Sequence, residues 1–219
     1  PLTDDHKVFR GNVANSLLKV ASYNVSRQNK DLALFEVSNI FTKNASEKHL
    51  AVVLCGSYLR QGQMKKEGYD FYDMKGIVEG VMELLGIESS RYRFAKNTAN
   101  LDELHPGRSA TLYLGKELIG YLGELHPSAY PTYNIKNNKV YVMEIKLSSL
   151  LNLVAGNERF RPISRFPSVT RDLALIVKDE IKADQVINII KKNGGALVKD
   201  VEVFDVYKDE IAKLGAIKL

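Results

Sequence analysis

The chain has 219 residues, 45% of them hydrophobic and 26% charged, enough to bury real cores beneath an ordinary charged surface. Its formal net charge of +5 and isoelectric point near 9.1 favour an anionic partner such as nucleic acid, without requiring one. No apolar run approaches the roughly 18 residues that span a bilayer, the start lacks the layout of a secretory signal, and one cysteine, Cys55, excludes an internal disulfide, so we expect a cytoplasmic protein.

The first third of the chain predicts alternating helices and strands. Apolar residues at helical spacing predict an amphipathic helix over 8–25, and short runs rich in β-branched residues predict strands over 31–37 and 50–55. The polar, glycine-containing residues 60–68 predict a loop. Residues 70–76 are expected to open a second helix, which Asp73 can cap because its carboxylate suits the first-turn amides, and Gly86 is expected to end it.

The middle of the chain predicts hairpins. Two strands, 110–114 and 118–122, are expected to turn at Gly115-Lys116. The alternating residues from Val140 to Ile145 predict another strand, and Ser148 is expected to cap a short helix ending at Leu153. Because hairpins outnumber strand–helix–strand crossovers, we expect an α+β fold with an antiparallel sheet and flanking helices.

A boundary near residues 155–158 divides the chain into a domain over 1–160 and a smaller domain over 161–219. In the second, a strand over 172–177, a helix over 183–192 and a strand over 198–207 predict the first half of a ferredoxin-like fold. Positive charge is densest here, since residues 161–199 carry eight Lys and Arg against four Asp and Glu. That balance suits an RNA partner, although a charged run is more often a solvated face.

The titratable residues form no catalytic constellation in the sequence. His105 and His126 each precede a proline, which favours extended backbone on separate loops and excludes the usual spacing of zinc ligands. Ser109 lies close to His105 but has no nucleophile elbow, and there is no phosphate-binding glycine loop. Three carboxylates near the second helix are explained more simply as a cap and a solvated face than as magnesium ligands: Asp70, Asp73 and Glu79.

Several short motifs, in one order along the chain, resemble the C-terminal part of the β subunit of bacterial phenylalanyl-tRNA synthetases. Each alone is weak, but the series makes chance an unlikely explanation. The motifs are Asp4 to Arg10 followed by Tyr23 to Asn29, Ala33 to Val37, Asp70-Phe71-Tyr72-Asp73-Met74-Lys75-Gly76, Leu104 to Ser109, Gly120 to Pro127 and Arg165 to Leu175.

The resemblance implies that residues 1–160 form a class II synthetase core-like domain without catalysis and that residues 161–219 form a ferredoxin-like anticodon-binding domain. It also implies a heterotetramer of two α and two β subunits that binds phenylalanine tRNA. ATP and magnesium are then expected in the whole complex, with ATP and phenylalanine bound by α and no cofactor in this chain. Gly120-Tyr121-Leu122-Gly123-Glu124 accordingly lacks the arginine with which class II enzymes contact ATP.

The same resemblance suggests site residues. For the α-subunit interface the candidates are aromatic, and core packing explains each of them equally well: Tyr69, Phe71 and Tyr72. For tRNA phosphates the candidates are cations of the second domain: Arg165, Arg171, Lys191 and Lys192. Two aromatic residues are candidates for stacking on unpaired bases: Phe166 and Tyr207.

The chain departs from the family after Tyr207-Lys208, where the family continues with a further strand, a helix and a last strand. We therefore expect a stretch to be missing between about 207 and 210, which would leave the anticodon-binding domain incomplete. Two other functions stay open. One is a stand-alone RNA-binding module with a continuous basic face, and the other is an independent hydrolase-type enzyme with a deep polar pocket.

Overall fold

The computed structural model describes residues 9–43, 45–58, 67–97, 103–135, 139–153, 165–178, 180–209 and 214–218. The chain divides into two units, residues 1–159 and residues 160–219. Each unit has its own hydrophobic core.

Among its described residues, the first unit combines strands with four α-helices. The strands are β1 (Leu32–Phe41), β2 (Ser46–Cys55), β3 (Ser57–Tyr58), β4 (Glu67–Gly68), β5 (Tyr92–Lys96), β6 (Leu104–Leu114), β7 (Glu117–Leu125) and β8 (Val140–Lys146). The helices are α1 (Ala14–Ser26), α2 (Phe71–Leu84), α3 (Tyr130–Tyr133) and α4 (Leu147–Leu151). Six strands form one antiparallel sheet in the order β1-β2-β8-β7-β6-β5, and β3 pairs with β4 separately. The predicted antiparallel sheet with flanking helices is confirmed.

Both faces of this sheet are covered because its central strands are apolar on both sides. Along β2, Ala51, Val53 and Cys55 face the core beneath α1, whereas alternate residues face the core beneath α2. The alternate residues are Leu50, Val52 and Leu54. Strand β8 divides its side chains in the same way. A strand that is buried on both faces consists of consecutive apolar residues, as residues 50–55 do.

The starts of the helices differ from the sequence prediction. Helix α1 begins at Ala14, and residues 1–8 lie outside the described part of the chain. Helix α2 begins at Phe71 and is capped by Asp70, whose carboxylate accepts from the N–H groups of Tyr72 (2.7 Å) and Asp73 (2.9 Å). The predicted cap Asp73 is wrong because its carboxylate accepts instead from the N–H of Asp70 (2.8 Å), in a reciprocal capping box.

The boundaries of other helices and strands also differ from the sequence predictions. Helix α4 begins at Leu147 and has no side-chain cap, so the prediction of a Ser148 cap is wrong. The strands of the first unit extend beyond the predicted cores because pairing continues outward, in β1 and β2 as far as Phe41 opposite Ser46. Strand β5 and helix α3 were not predicted. The predicted loop over 60–68 falls mainly on residues outside the described ones, and its end at 67–68 is β4.

The second unit contains β9 (Ala174–Lys178), α5 (Ala183–Gly194), β10 (Asp205–Asp209) and β11 (Leu214–Lys218). Its antiparallel sheet has the order β10-β11-β9. Helix α5 packs on one face of this sheet, with Val186 buried against Leu175 and Val177 of β9. This strand–helix–strand–strand order agrees with the predicted ferredoxin-like fold.

The second strand of this unit is shorter than predicted. Residues 198–204 have no ladder partner among the described residues, because β11 is five residues long and pairs only with 205–209. Val201 and Val203 pack against the cluster around Val186 instead. The stretch expected to be missing near 207–210 stays a prediction, since residues 210–213 lie outside the described part of the chain.

Candidate nucleic-acid and subunit interfaces

The four predicted phosphate-binding cations all lie on the surface of the second unit. Arg165 and Arg171 belong to the irregular segment before β9, and both are exposed. Lys191 and Lys192 are exposed in the last turn of α5, where the negative end of the helix dipole stabilises cations. Their placement is compatible with phosphate contacts.

The sheet of the second unit has one face turned away from α5. Leu175 and Val177 face the helix, so Ile176 between them faces the other way and is exposed. Ile176 and Tyr207 are both paired with Ala216 in the ladder and therefore lie on the same face. Tyr207 is 67% exposed, which leaves its ring available for stacking. Phe166, the other predicted stacking residue, is also largely exposed.

The three predicted interface aromatics differ in burial. Tyr69 is half-buried and stacks on Tyr58 with 4.7 Å between ring centroids, and burial raises the pKa of Tyr69. Phe71 packs against the core beneath α2. Tyr72 is 74% exposed and meets Phe71 edge-on. Only Tyr72 among the three presents most of its surface outward.

A buried carboxylate joins α1 to the central sheet. Glu144 of β8 is only 3% exposed, and it accepts from the backbone N–H groups of Val13 (3.1 Å) and Ala14 (2.9 Å) at the start of α1. It also accepts from Nδ1 of His49 (2.7 Å) and, at 3.4 Å, from the hydroxyl of Tyr121. The first turn of α1 has no acidic residue of its own, so Glu144 supplies the negative charge that suits a helix N-terminus.

A cleft of about 600 Å³ lies beside this carboxylate and includes Asn12, Asn15, His49 and Tyr121 in its lining. Burial alone would raise the pKa of Glu144, but the hydrogen bonds from His49, Ala14 and Val13 outweigh it and hold that pKa below the usual range. Because these donors already occupy the carboxylate, Glu144 has a structural role. Glu144 is therefore not the available acid or base that the hydrolase hypothesis requires.

A second buried carboxylate lies on the opposite face of the sheet. Glu124 of β7 is 3% exposed and makes a two-point ion pair with Arg108, at 2.5 Å from Nε and 2.9 Å from a terminal nitrogen. The hydroxyl of Tyr141 also donates to Glu124 (3.2 Å). Burial acts to raise the pKa of Glu124, but the hydrogen bond and charge of Arg108 outweigh it, so the pKa is lowered.

Replacing Arg108 with methionine should raise the pKa of Glu124, because burial remains while the guanidinium is lost. Titration of the ¹³C-labelled glutamate carboxyls by NMR measures this change. Arg93→Met is the control, since Arg93 lies over the ring of Tyr113 (4.2 Å). An unchanged titration of Glu124 in Arg108→Met would contradict the assignment.

The two His-Pro motifs come together, contrary to the prediction of separate loops. The extended backbone before each proline places His105 within β6 and His126 directly after β7, with 6.1 Å between ring centroids. Each Nδ1 accepts a backbone N–H, from Gly107 (3.1 Å) and Ser128 (3.2 Å) respectively. The hydroxyl of Ser109 donates to the backbone carbonyl of His105 (2.7 Å), so these two residues do not form a nucleophile–base pair.

The described residues contain no group of three or more His, Cys, Asp and Glu side chains placed to hold a metal ion. Within the same residues, no helix has both the length and the apolar character to cross a membrane.

Comparison with protein families gives two matches. Residues 1–147 match the family described as phenylalanyl tRNA synthetase beta chain CLM domain, and residues 164–217 match the ferredoxin-fold anticodon binding domain. The second match covers the unit formed by β9, α5, β10 and β11.

Individual relatives of similar sequence belong to the same kind of protein as these family matches. Over 222 aligned residues the chain is 38% identical to the phenylalanine–tRNA ligase beta subunit of Staphylococcus aureus, covering 98% of this chain and 27% of that relative. The beta subunit from strain MSSA476 gives the same values. The chain thus spans about a quarter of the length of the curated relatives it matches.

Solved structures support the fold. The pyrrolysyl-tRNA synthetase PylSc of Desulfitobacterium hafniense aligns with a TM-score of 0.51 at 14% identity, covering 73% of this chain and 54% of that one. At this identity the likeness concerns the fold alone. Since one family match covers well over half of the sequence, the chain belongs to the phenylalanyl-tRNA synthetase beta chain family.

Proposed function

We propose that this chain is a non-catalytic part of the β subunit of a cytoplasmic phenylalanine–tRNA ligase, which supports the catalytic α subunit and binds tRNA. The observation that carries the proposal is the family match over residues 1–147, followed by the anticodon-binding match over residues 164–217. The two matches fall on the two units in chain order. The assembly proposed is the heterotetramer of two α and two β subunits.

Catalysis is assigned to α, together with ATP, magnesium and phenylalanine. Gly120 and Gly123 support the assignment of ATP binding to α, because close packing between strands explains why both positions are glycine. A Cβ at Gly120 would lie 2.3 Å from the carbonyl oxygen of Glu144, and one at Gly123 would lie 2.4 Å from Cβ of Ser109. The residues present therefore do not fit a phosphate cradle, and no step of the reaction is assigned to this chain.

In the proposed complex, Tyr72 is the leading contact to α among the three candidate aromatics, because most of its surface is exposed. An exposed aromatic side chain is characteristic of the centre of a subunit interface. Phe71 meets Tyr72 edge-on from within the unit's own packing, whereas Tyr69 stacks on Tyr58. Tyr72→Ala should weaken association with α more than Tyr113→Ala, a change at a tyrosine elsewhere in the unit.

The direct test of the proposal is co-purification of the 219-residue chain with the α subunit, followed by aminoacylation assays. We expect the chain alone not to charge phenylalanine tRNA and to be retained by tagged α. Charging by the chain without α would overturn the non-catalytic assignment. Failure of the wild-type chain to associate with α would overturn the assigned partner.

The tRNA role predicts a specific salt dependence. Glutamine replacements at Arg165, Arg171, Lys191 and Lys192 should weaken binding of phenylalanine tRNA, because each cation neutralises a phosphate. The slope of log K against log salt should shrink by about 3 if all four make contacts. Fluorescence anisotropy of labelled tRNA at several salt concentrations measures both quantities.

The matched control replaces four exposed cations of the first unit, Lys48, Arg91, Lys96 and Lys116, with glutamine. Equal losses in the two variants would show a general charge effect and contradict the assigned contacts. Unrelated RNAs of the same length test the other hypothesis. Equal affinity for them would favour a stand-alone RNA-binding module.

A further inference from the structure

We propose that the outward face of α1 is an additional RNA-contact surface, apart from the second unit. This surface, called the α1 stripe, consists of Lys19, Val20, Tyr23 and Arg27. This inference rests on the proposed function, because the RNA that it assigns to the surface is tRNA. The contacts that it offers are stacking on a base and neutralisation of phosphates.

The α1 stripe exists because α1 is amphipathic. Its inner face packs Val13, Ala14, Leu17, Leu18 and Ala21 into the core. The residues at positions 19, 20, 23 and 27 follow helical spacing on the other side, and all of them are exposed. Tyr23 is 58% exposed, so a large aromatic ring stands outside the core of the unit.

Tyr23 is already half of a stacked pair. The guanidinium carbon of Arg27 lies 3.4 Å from the centroid of the Tyr23 ring, and Arg27 also donates to the backbone carbonyl of Tyr23. The pair therefore holds a planar cation over an aromatic ring before any partner binds. A nucleobase extends such a stack at little entropic cost, and the guanidinium N–H groups reach phosphate oxygens.

The sequence around the Tyr23–Arg27 pair carries positive charge and no acidic residue. Residues 6–30 contain no aspartate or glutamate, whereas Lys19 and Arg27 add positive charge to the exposed face and Lys30 is exposed in the segment after the helix. The next acid, Asp31, accepts from the backbone N–H (2.9 Å) and hydroxyl (3.0 Å) of Ser57. The helix dipole explains a cation near the end of α1. It does not explain Lys19 in the middle or the exposed Tyr23 and Val20.

The experiment measures binding of labelled phenylalanine tRNA by the purified 219-residue chain, using anisotropy at several salt concentrations. Tyr23→Ala should weaken binding on the order of tenfold, as loss of one stacked base does. Arg27→Gln should weaken binding and reduce the slope of log K against log salt by about 1. Arg27→Lys should keep that slope, because the charge remains, but should still weaken binding because the planar guanidinium over Tyr23 is lost. Because the substituted side chains are exposed, the denaturation midpoints should stay close to wild type.

Arg93→Gln is the matched control, because Arg93 forms the same kind of pair with Tyr113 (4.2 Å) elsewhere in the unit. It should leave tRNA binding unchanged. The inference is overturned if Tyr23→Ala and Arg27→Gln bind like wild type, if Arg93→Gln loses as much, or if the wild-type chain binds no RNA.

Association with α is measured on the same variants. Loss of α binding by Tyr23→Ala would make the α1 stripe a protein contact and overturn the RNA assignment. Wild-type RNA binding by the α1-stripe variants leaves the proposed function intact. In contrast, failure of the wild-type chain to associate with α counts against the proposed function and not against the α1 stripe.

Discussion

Glu144→Leu is expected to lower the free energy of unfolding by about 3–5 kcal/mol, the usual loss when a buried charged group is removed from its partners. The substitution leaves the N–H groups of Val13 and Ala14 and the Nδ1 of His49 without their acceptor inside the core. Helix α1 should loosen first, because its initial turn depends on this carboxylate. Urea unfolding followed by circular dichroism measures the loss.

Glu144→Gln separates charge from shape. It keeps the size and one acceptor oxygen, so we expect a smaller loss than with leucine. The lowered pKa of folded Glu144 means that its charge stabilises the fold above the ordinary value of 4.5, and that this part disappears as pH falls through the folded pKa. The glutamine variant should therefore lose less stability in acid than wild type does, although Glu124 continues to contribute. Identical acid profiles would contradict this role.

Gly120→Ala is the second substitution expected to have a large effect. Its Cβ would lie 2.3 Å from the carbonyl oxygen of Glu144 and 3.0 Å from Cα of Ile145, both backbone atoms of the central strand β8. Backbone within a paired strand cannot move aside cheaply, so we expect a loss of about 1–3 kcal/mol or more. Thermal unfolding of the purified variant gives the value.

Gly80→Ala is the matched control for this effect. Gly80 is exposed in α2 and has nothing within 4 Å of an added Cβ. Alanine there should stabilise the chain by about 0.5–1 kcal/mol, because glycine in a helix interior is entropically unfavourable. A destabilised Gly80→Ala, or a neutral Gly120→Ala, would show that packing at these positions is not what limits the substitution.

Local patterns predicted the elements that local chemistry determines. The runs over 50–55 and 140–145 are strands because alternate residues enter different cores, as their β-branched content indicates. The cap of α2 was predicted three residues too late, at Asp73 instead of Asp70, because both aspartates are good caps. Only the reciprocal hydrogen bonds show that Asp70 is the cap.

Features that depend on distant residues were missed. Residues 198–204 have the composition of a strand, but a strand requires a partner, and β11 reaches only 205–209. Of the candidate site, the exposure of Arg165, Arg171, Lys191 and Lys192 follows from residue type alone. The roles of Glu124 and Glu144 do not, although an acid inside the apolar run over 140–145 is the one signal that pointed to a buried charge.

The hydrogen bond that the N–H of Ala14 donates to the carboxylate of Glu144 joins residues that are 130 positions apart. A ribosome makes the helix long before it makes the carboxylate that holds its first turn, so α1 emerges without its acceptor. Such delayed, non-local pairing slows folding and exposes apolar surface in the meantime. The nascent first unit is therefore expected to need protection from aggregation until β8 has been synthesised.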